Sequence, residues 1–157
     1  MSQRNPKVVV IGGTYVDMAI RCGQAPSPGQ SVAGSVLSYT TAGPGPIQAA
    51  EAALCGCKVH LIGKVGGDPF AQMVRESLAE FNVSTEFVST AEAMNTGVLV
   101  TLVNAEGENA DCVCPGANSA LQSLDISAAE HIISDADICL IHGRLPQKVI
   151  ISALRCA

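Results

Sequence analysis

Three short apolar runs constrain this chain most. Val8–Ile11 is uninterrupted, four apolar residues that stop at Gly12-Gly13. The pattern returns in "KVHLIG", Lys58–Gly63, and in "DICLIH", Asp137–His142. Runs of this length without polar alternation fit strands buried on both faces. Helix-patterned segments separate them. Pro46–Leu54 is rich in alanine and stops at Gly56. Asp68 is placed as an N-cap with Pro69 in the first turn. Behind it Phe70, Met73, Val74, Leu78 and Phe81 recur at helical spacing as one buried stripe. Ser127 and Glu130 have capping-box spacing for another helix. Pro146 opens the last, with Val149, Ile150, Ala153 and Leu154 predicted inward. "STEFVS", Ser84–Ser89, is a candidate fourth core strand. This β-α-β order predicts a parallel sheet with helices on both faces.

Two segments break the rhythm. Ala19–Thr41 mixes polar and apolar residues around the turn "PSPG", Pro26–Gly29. Gly97–Cys114 reads as two strands about "NAEGEN", with Glu106-Gly107 at the reversal. Both pieces have an antiparallel character and suit a separate small sheet, a flap over one end of the parallel sheet. The chain ends at "ISALRCA", after a helix that calls for a further strand, so we expect the front half of a larger domain.

Composition narrows the partners. Of 157 residues, 48% are hydrophobic and 15% charged, which excludes disorder. Aromatics are 3% with no Trp, leaving few platforms on which bases could stack. The net charge of -5 without a basic run argues against nucleic acid and anionic membranes. No apolar stretch nears the ~20 residues of a membrane span. The run after "MSQRNPK" is too short for a signal peptide, so the expected location is cytoplasmic. The seven cysteines are odd in number and are read as small buried thiols of a reducing compartment. Cys55/Cys57 and Cys112/Cys114, with His60 and His142, do not have the usual zinc spacing, and no metal site is assigned.

Ligands of open parallel sheets bind beyond the C-terminal strand ends. Three features converge there: Gly12-Gly13 with Asp17, the Ala42–Ile47 loop, and His142-Gly143-Arg144. Asp17 suits a carboxylate that accepts from two sugar hydroxyls; a turn or capping aspartate is the plainer alternative. Gly43 and Gly45 let backbone amides approach a ligand, or simply make a tight turn. Neither the phosphate-binding G-x-x-x-x-G-K-[ST] motif nor a dinucleotide fingerprint is present.

The succession "VVVIGGTYVD", "SPGQSVAG", "TAGPGPIQAAEAALCGCKVHLIGKVGGDPFAQMVRESLAEFNV", "NTGVLVTLVNAEGEN" and "PGANSAL" resembles the ribokinase family, the PfkB-type carbohydrate kinases. The resemblance runs from Val8 to about Ala153 and covers about the first half of a family member. It implies an α/β fold, a three-layer α/β/α domain with a β-sheet lid drawn from about residues 19–41 and 97–114. In such kinases the lid closes over the sugar and often mediates dimers, so a homodimer through the lid is expected. The positions implied to meet the substrate are Tyr15, Asp17, Gly43, Gly45, Ile47, Leu99, Val113 and Arg144.

The chain departs from that pattern in its polar residues. Ribose-phosphorylating members typically show "GGKGANQA" where this chain has Ala42–Ala49. Pro44 replaces the lysine and Ile47 the sugar-binding asparagine. Tyr15 stands for another asparagine, and Arg144 lies near the position of a glutamate, a reversal of charge. An unmatched buried polar group costs ~1–3 kcal/mol, so these changes reduce affinity for ribose. They suit a less polar or anionic substrate. The family's catalytic aspartate belongs to a "G-A-G-D"-like motif in the other half, with the ATP site. "PGAN", Pro115–Asn118, has no aspartate at that place. No catalytic residue is therefore assigned, and ATP and magnesium are expected in the full-length parent rather than on this stretch. The expected function is the substrate-binding and lid portion of an ATP-dependent kinase acting on a sugar or nucleoside-like hydroxyl. The alternative is a non-catalytic binding or dimerisation module. The isolated stretch is expected to be inactive and, with an exposed edge at Asp137–His142, marginally stable or self-associating.

Overall fold

The three apolar runs lie side by side. In a computed structural model, which describes residues 4–157, they form β1 (Lys7–Ile11), β4 (Lys58–Gly66) and β8 (Ile138–Ile141). The other strands are β2 (Tyr15–Cys22), β3 (Gly34–Ala42), β5 (Val88–Ala91), β6 (Gly97–Val103) and β7 (Asn109–Cys114). The helices are α1 (Pro44–Leu54), α2 (Pro69–Glu80), α3 (Ser123–Ala128), α4 (Glu130–Ser134) and α5 (Gln147–Cys156). One sheet is all parallel, in the order β5-β4-β1-β8. The second has the order β3-β2-β6-β7.

Alternation along β1 divides the core. Val8 and Val10 pack with Val59, Leu61, Ala49 of α1, and Val74 and Leu78 of α2. Val9 and Ile11 pack on the other face with Ile126 of α3, Ile133 of α4, and Val149 and Ala153 of α5. Both faces of the central strands are dry, which is why their sequence shows no polar alternation. Beside Ile62 of that second cluster, the Lys64 ammonium of β4 lies 2.8 Å from Asp125 of α3, both side chains about nine-tenths buried. Asp125 also accepts from Ser89 Oγ and from the Gln122 N–H. A buried carboxylate so placed has its oxygens matched on several sides.

Several details differ from the sequence expectations. The second sheet is mixed rather than antiparallel: β2 pairs antiparallel with β3 but parallel with β6. It begins at Tyr15, four residues earlier than expected, so Asp17 lies within a strand and not in a loop. α1 starts at Pro44, because proline at the first helical position suits the fixed φ of the ring. Within 84–89, Ser84 makes an isolated bridge to His60 and pairing resumes at Val88, where the strand proper, Val88–Ala91, begins. Ser127 does not cap a helix; its hydroxyl donates to Ser123 O inside α3, and Asp125 closes the α3 start instead. Phe81 follows the end of α2 and is 37% exposed, with Ala71 taking a place in the buried stripe. Leu154 is 64% exposed, as no described element packs on that side of α5. Of the seven cysteines only Cys22 is buried; Cys55, Cys112 and Cys114 lie on the surface, at a helix end and on an outer lid strand. Ile138 and Leu140 of β8 are also exposed, and the strand's outer edge has no partner among the described residues.

Two junctions hold the sheets at a fixed angle. Asp68 caps α2 by accepting from Ala71 N–H, as expected, and also accepts from the Thr96 N–H and hydroxyl, both at 2.7 Å. Thr96 in turn accepts from Gly66 N–H at the end of β4. The carboxylate therefore joins the parallel sheet to the residue just before β6. The other junction is a crossing of backbones. A Cβ on Gly45 would lie 2.8 Å from Gly12 O, and one on Gly12 would lie 2.6 Å from Gly45 Cα. Only glycine at both positions permits this approach.

Replacing Gly45 by Val is expected to destabilise the protein by about 3 kcal/mol, because its side chain meets backbone that has no room to move. Asp68→Ala removes a cap and two hydrogen bonds and is expected to cost about 2 kcal/mol in urea melts. A third expectation concerns pH. Arg4 and Lys7 face Asp137 and Asp135 at the start of β8. The Lys7 amide and the Arg4 guanidinium hold the Asp137 carboxyl below its ordinary value of 3.8; Lys7 does the same for Asp135. Folded values below the unfolded ones mean that this contribution is complete above the ordinary carboxylate range. It fades as pH falls through the lower folded values. Asp137→Asn should flatten the acid limb of a stability-versus-pH curve there, and an unchanged limb would count against the pairing.

Candidate functional site

Strand β1 ends at Ile11, and the chain turns through Gly12-Gly13-Thr14 directly into lid strand β2. The β3–α1 turn comes back over this exit. Gly43, with φ 98°, occupies the left-handed region that glycine alone adopts freely. The Gly45 N–H donates to Gly13 O at 3.1 Å. Pro44 and Pro46 have no N–H, so none of the first three amides of α1 is left for a ligand. The Gly-Pro-Gly-Pro sequence thus uses its glycines to pack backbone on backbone. Of the two amides expected to reach a ligand, that of Gly45 is spent on Gly13 O.

A cavity of about 520 Å³ lies between this turn, the lid and the loop after β8. Tyr15, Gly43, Leu99, Val113 and Arg144 line it, five of the positions singled out by sequence. Register explains how three of them meet. Leu99 of β6 pairs with Asp17 of β2 and with Val113 of β7, and Tyr15 precedes Asp17 by two. All four residues therefore share one face of the lid. Asp17 sits beside Leu99 on that face, where its carboxylate accepts from Thr101 Oγ1 at 2.8 Å. The other two positions are elsewhere. Gly45 is buried behind the turn, and Ile47 is 55% exposed on α1.

His142 and Arg144 follow β8. The His142 N–H donates to Ile11 O, prolonging the β1–β8 ladder to the cavity edge. Burial pushes the Tyr15 phenol above its ordinary value, while the nearby Arg144 guanidinium pulls it down. The phenol is then a neutral donor at physiological pH. No carboxylate lines the cavity, and among the described residues no three His, Cys, Asp or Glu side chains are grouped to hold a metal ion.

Asn118, the last residue of "PGAN", is not among the positions expected from the sequence. It is 6% exposed and lines the cavity. Its Oδ1 accepts from Thr14 N–H, and its Nδ2 donates to the carbonyls of Thr14 and Pro115, all within 2.9 Å. It clamps the turn after β7 to the β1–β2 junction. An amide side chain in a turn of small residues was the available signal, but its partner lies 104 positions away.

The surroundings of this geometry are shared with known proteins. The family model described as pfkB family carbohydrate kinase matches residues 5–157. Ribokinase of Mus musculus is 31% identical over 150 residues, covering 96% of this chain and 46% of that protein. Ribokinase of Staphylococcus aureus is 31% identical over 153 residues, covering 96% and 50%. The chain spans about half the length of these relatives. A crystal structure of Sa239 superposes with a TM-score of 0.91 at 30% identity, over 98% of this chain and 51% of the other. Arabidopsis thaliana ribokinase complexed with ribose and ATP superposes with a TM-score of 0.88 at 22% identity, over 98% and 50%. With that family model matching nearly the whole chain, and the parallel sheet and mixed sheet superposing on a solved kinase fold, the chain belongs to the pfkB family of carbohydrate kinases.

Proposed function

We propose that this chain is the acceptor-binding and lid portion of an ATP-dependent kinase that phosphorylates a hydroxyl of a sugar or sugar-like molecule. The observation that carries the proposal is the cavity itself. One wall is the lid face with Tyr15, Leu99 and Val113; the other is the exit of β1 with Gly13 and Gly43. The volume suits a small molecule.

In phosphoryl transfer the acceptor oxygen bonds to the γ-phosphorus, the bond from that phosphorus to the bridging oxygen breaks, and ADP leaves with that oxygen. The acceptor hydroxyl loses its proton. This chain's part is to hold the hydroxyl in place and to keep water out. Tyr15 donates to the acceptor, and Asp17 is a carboxylate at the lid face that accepts from hydroxyls. Leu99 and Val113 form a dry cover. The nucleotide does not fit the residues present. The α1 start has no amides to give to phosphate, and the cavity has no carboxylate to bind a nucleotide's magnesium. Nucleotide binding and the proton acceptor are therefore assigned to residues outside this stretch. A homodimer through the lid accords with exposed Val36, Leu37 and Tyr39 on β3.

The test uses full-length protein with ATP, magnesium and a panel of pentoses, hexoses and nucleosides. A phosphorylated acceptor should appear by mass spectrometry. Leu99→Asp should raise the KM for the acceptor by about tenfold or more and leave the KM for ATP unchanged, because it places a charge in the dry cover. Absence of phosphorylated product across the panel favours the non-catalytic module instead.

A further inference from the structure

Among the described residues Arg144 has no ionic partner: the salt bridges there are Arg4–Asp137, Lys7–Asp135 and Lys64–Asp125, and no side-chain hydrogen bond from Arg144 is present. The guanidinium nevertheless borders the cavity beside Tyr15. Its five N–H groups form a rigid fork that matches a carboxylate or phosphate.

The rest of the lining sharpens this. The rim at Pro44, Pro115 and Pro146 has no amide hydrogen, and Leu99, Val113 and Leu145 are apolar. The Asn118 amide is already committed to Thr14 and Pro115. The uncommitted polar side chains that line the cavity are the Tyr15 phenol, His142 and Arg144, none of them an anion; Asp17 lies beside this lining and already accepts from Thr101. A neutral polyol would meet few partners for its hydroxyls, and each unmatched hydroxyl costs affinity. A molecule with an anionic end and a less polar body would meet a matching wall on each side. Asp17 lies on β2, and Arg144 in the segment after β8. The two charges sit on different elements, and Asp17 already has a partner in Thr101.

We propose that the acceptor carries a carboxylate or phosphate group, which Arg144 binds, while its reacting hydroxyl lies toward the lid. The inference rests on the cavity being the acceptor site. It adds the chemical class of the acceptor and makes Arg144 the residue that selects it.

Isothermal titration of the full-length protein with D-ribose, D-ribonate and D-ribose 5-phosphate tests it. The two anions share a pentose skeleton with the neutral sugar and separate a carboxylate from a phosphate. At least one anion should bind about tenfold or more tighter than ribose, as a charge-assisted pair adds that much. The preference should shrink as salt rises. Arg144→Gln should abolish the preference for the anion over ribose, and Arg144→Lys should restore part of it; thermal melts of both variants check folding. Ribose bound as tightly as both anions overturns the anionic class and leaves the acceptor site standing. A preference that survives in Arg144→Gln overturns the role of Arg144. No binding of any of the three overturns the acceptor site and this inference together.

Discussion

The site depends on two stretches of backbone touching without side chains between them. Gly12 and Gly13 leave β1, and Gly43 and Gly45 enter α1 on top of them. The contact is closer than any Cβ allows. It sets where β1 ends, where the lid begins and where the first helix points. A cavity wall follows from it, because the same turn exposes Gly13 and Gly43 to the space under the lid. The opening loop of the family motif therefore has a structural reason for its glycines that is independent of any ligand.

Around that contact, polar side chains are used as joints. Asn118 holds the turn after β7 to Thr14, and Asp68 holds Thr96 to the start of α2. Each joint ties one end of a lid strand to the parallel sheet. The lid's far strands β3 and β7 are largely exposed, in contrast to the dry β1 and β4.

Much of the framework was legible in the sequence. Val8–Ile11 had no polar residue because both of its faces are buried, and Asp68-Pro69 marked a helix start because a cap needs only local geometry. Tyr15, Leu99, Val113 and Arg144 were picked by resemblance and do meet at one cavity. Other residues were not readable. Ser127–Glu130 has the spacing of a cap, but spacing cannot tell which of two adjacent short helices will use it. Gly45 and Ile47 occupy positions in a binding motif, yet one is buried in a backbone crossing and the other faces outward. Asn118 was passed over because its bonding partner is distant along the chain.

Periodicity, turn chemistry and apolar content are local properties, and they determined the strands, most of the helices and the division into two sheets. Which polar groups are free for a ligand is not local. The prolines at the α1 start, the commitment of Asn118 and the lack of an ionic partner for Arg144 acquire meaning only once distant segments are brought together. The tertiary structure decided that, since a hydrogen bond spent inside the protein is unavailable to anything that binds it.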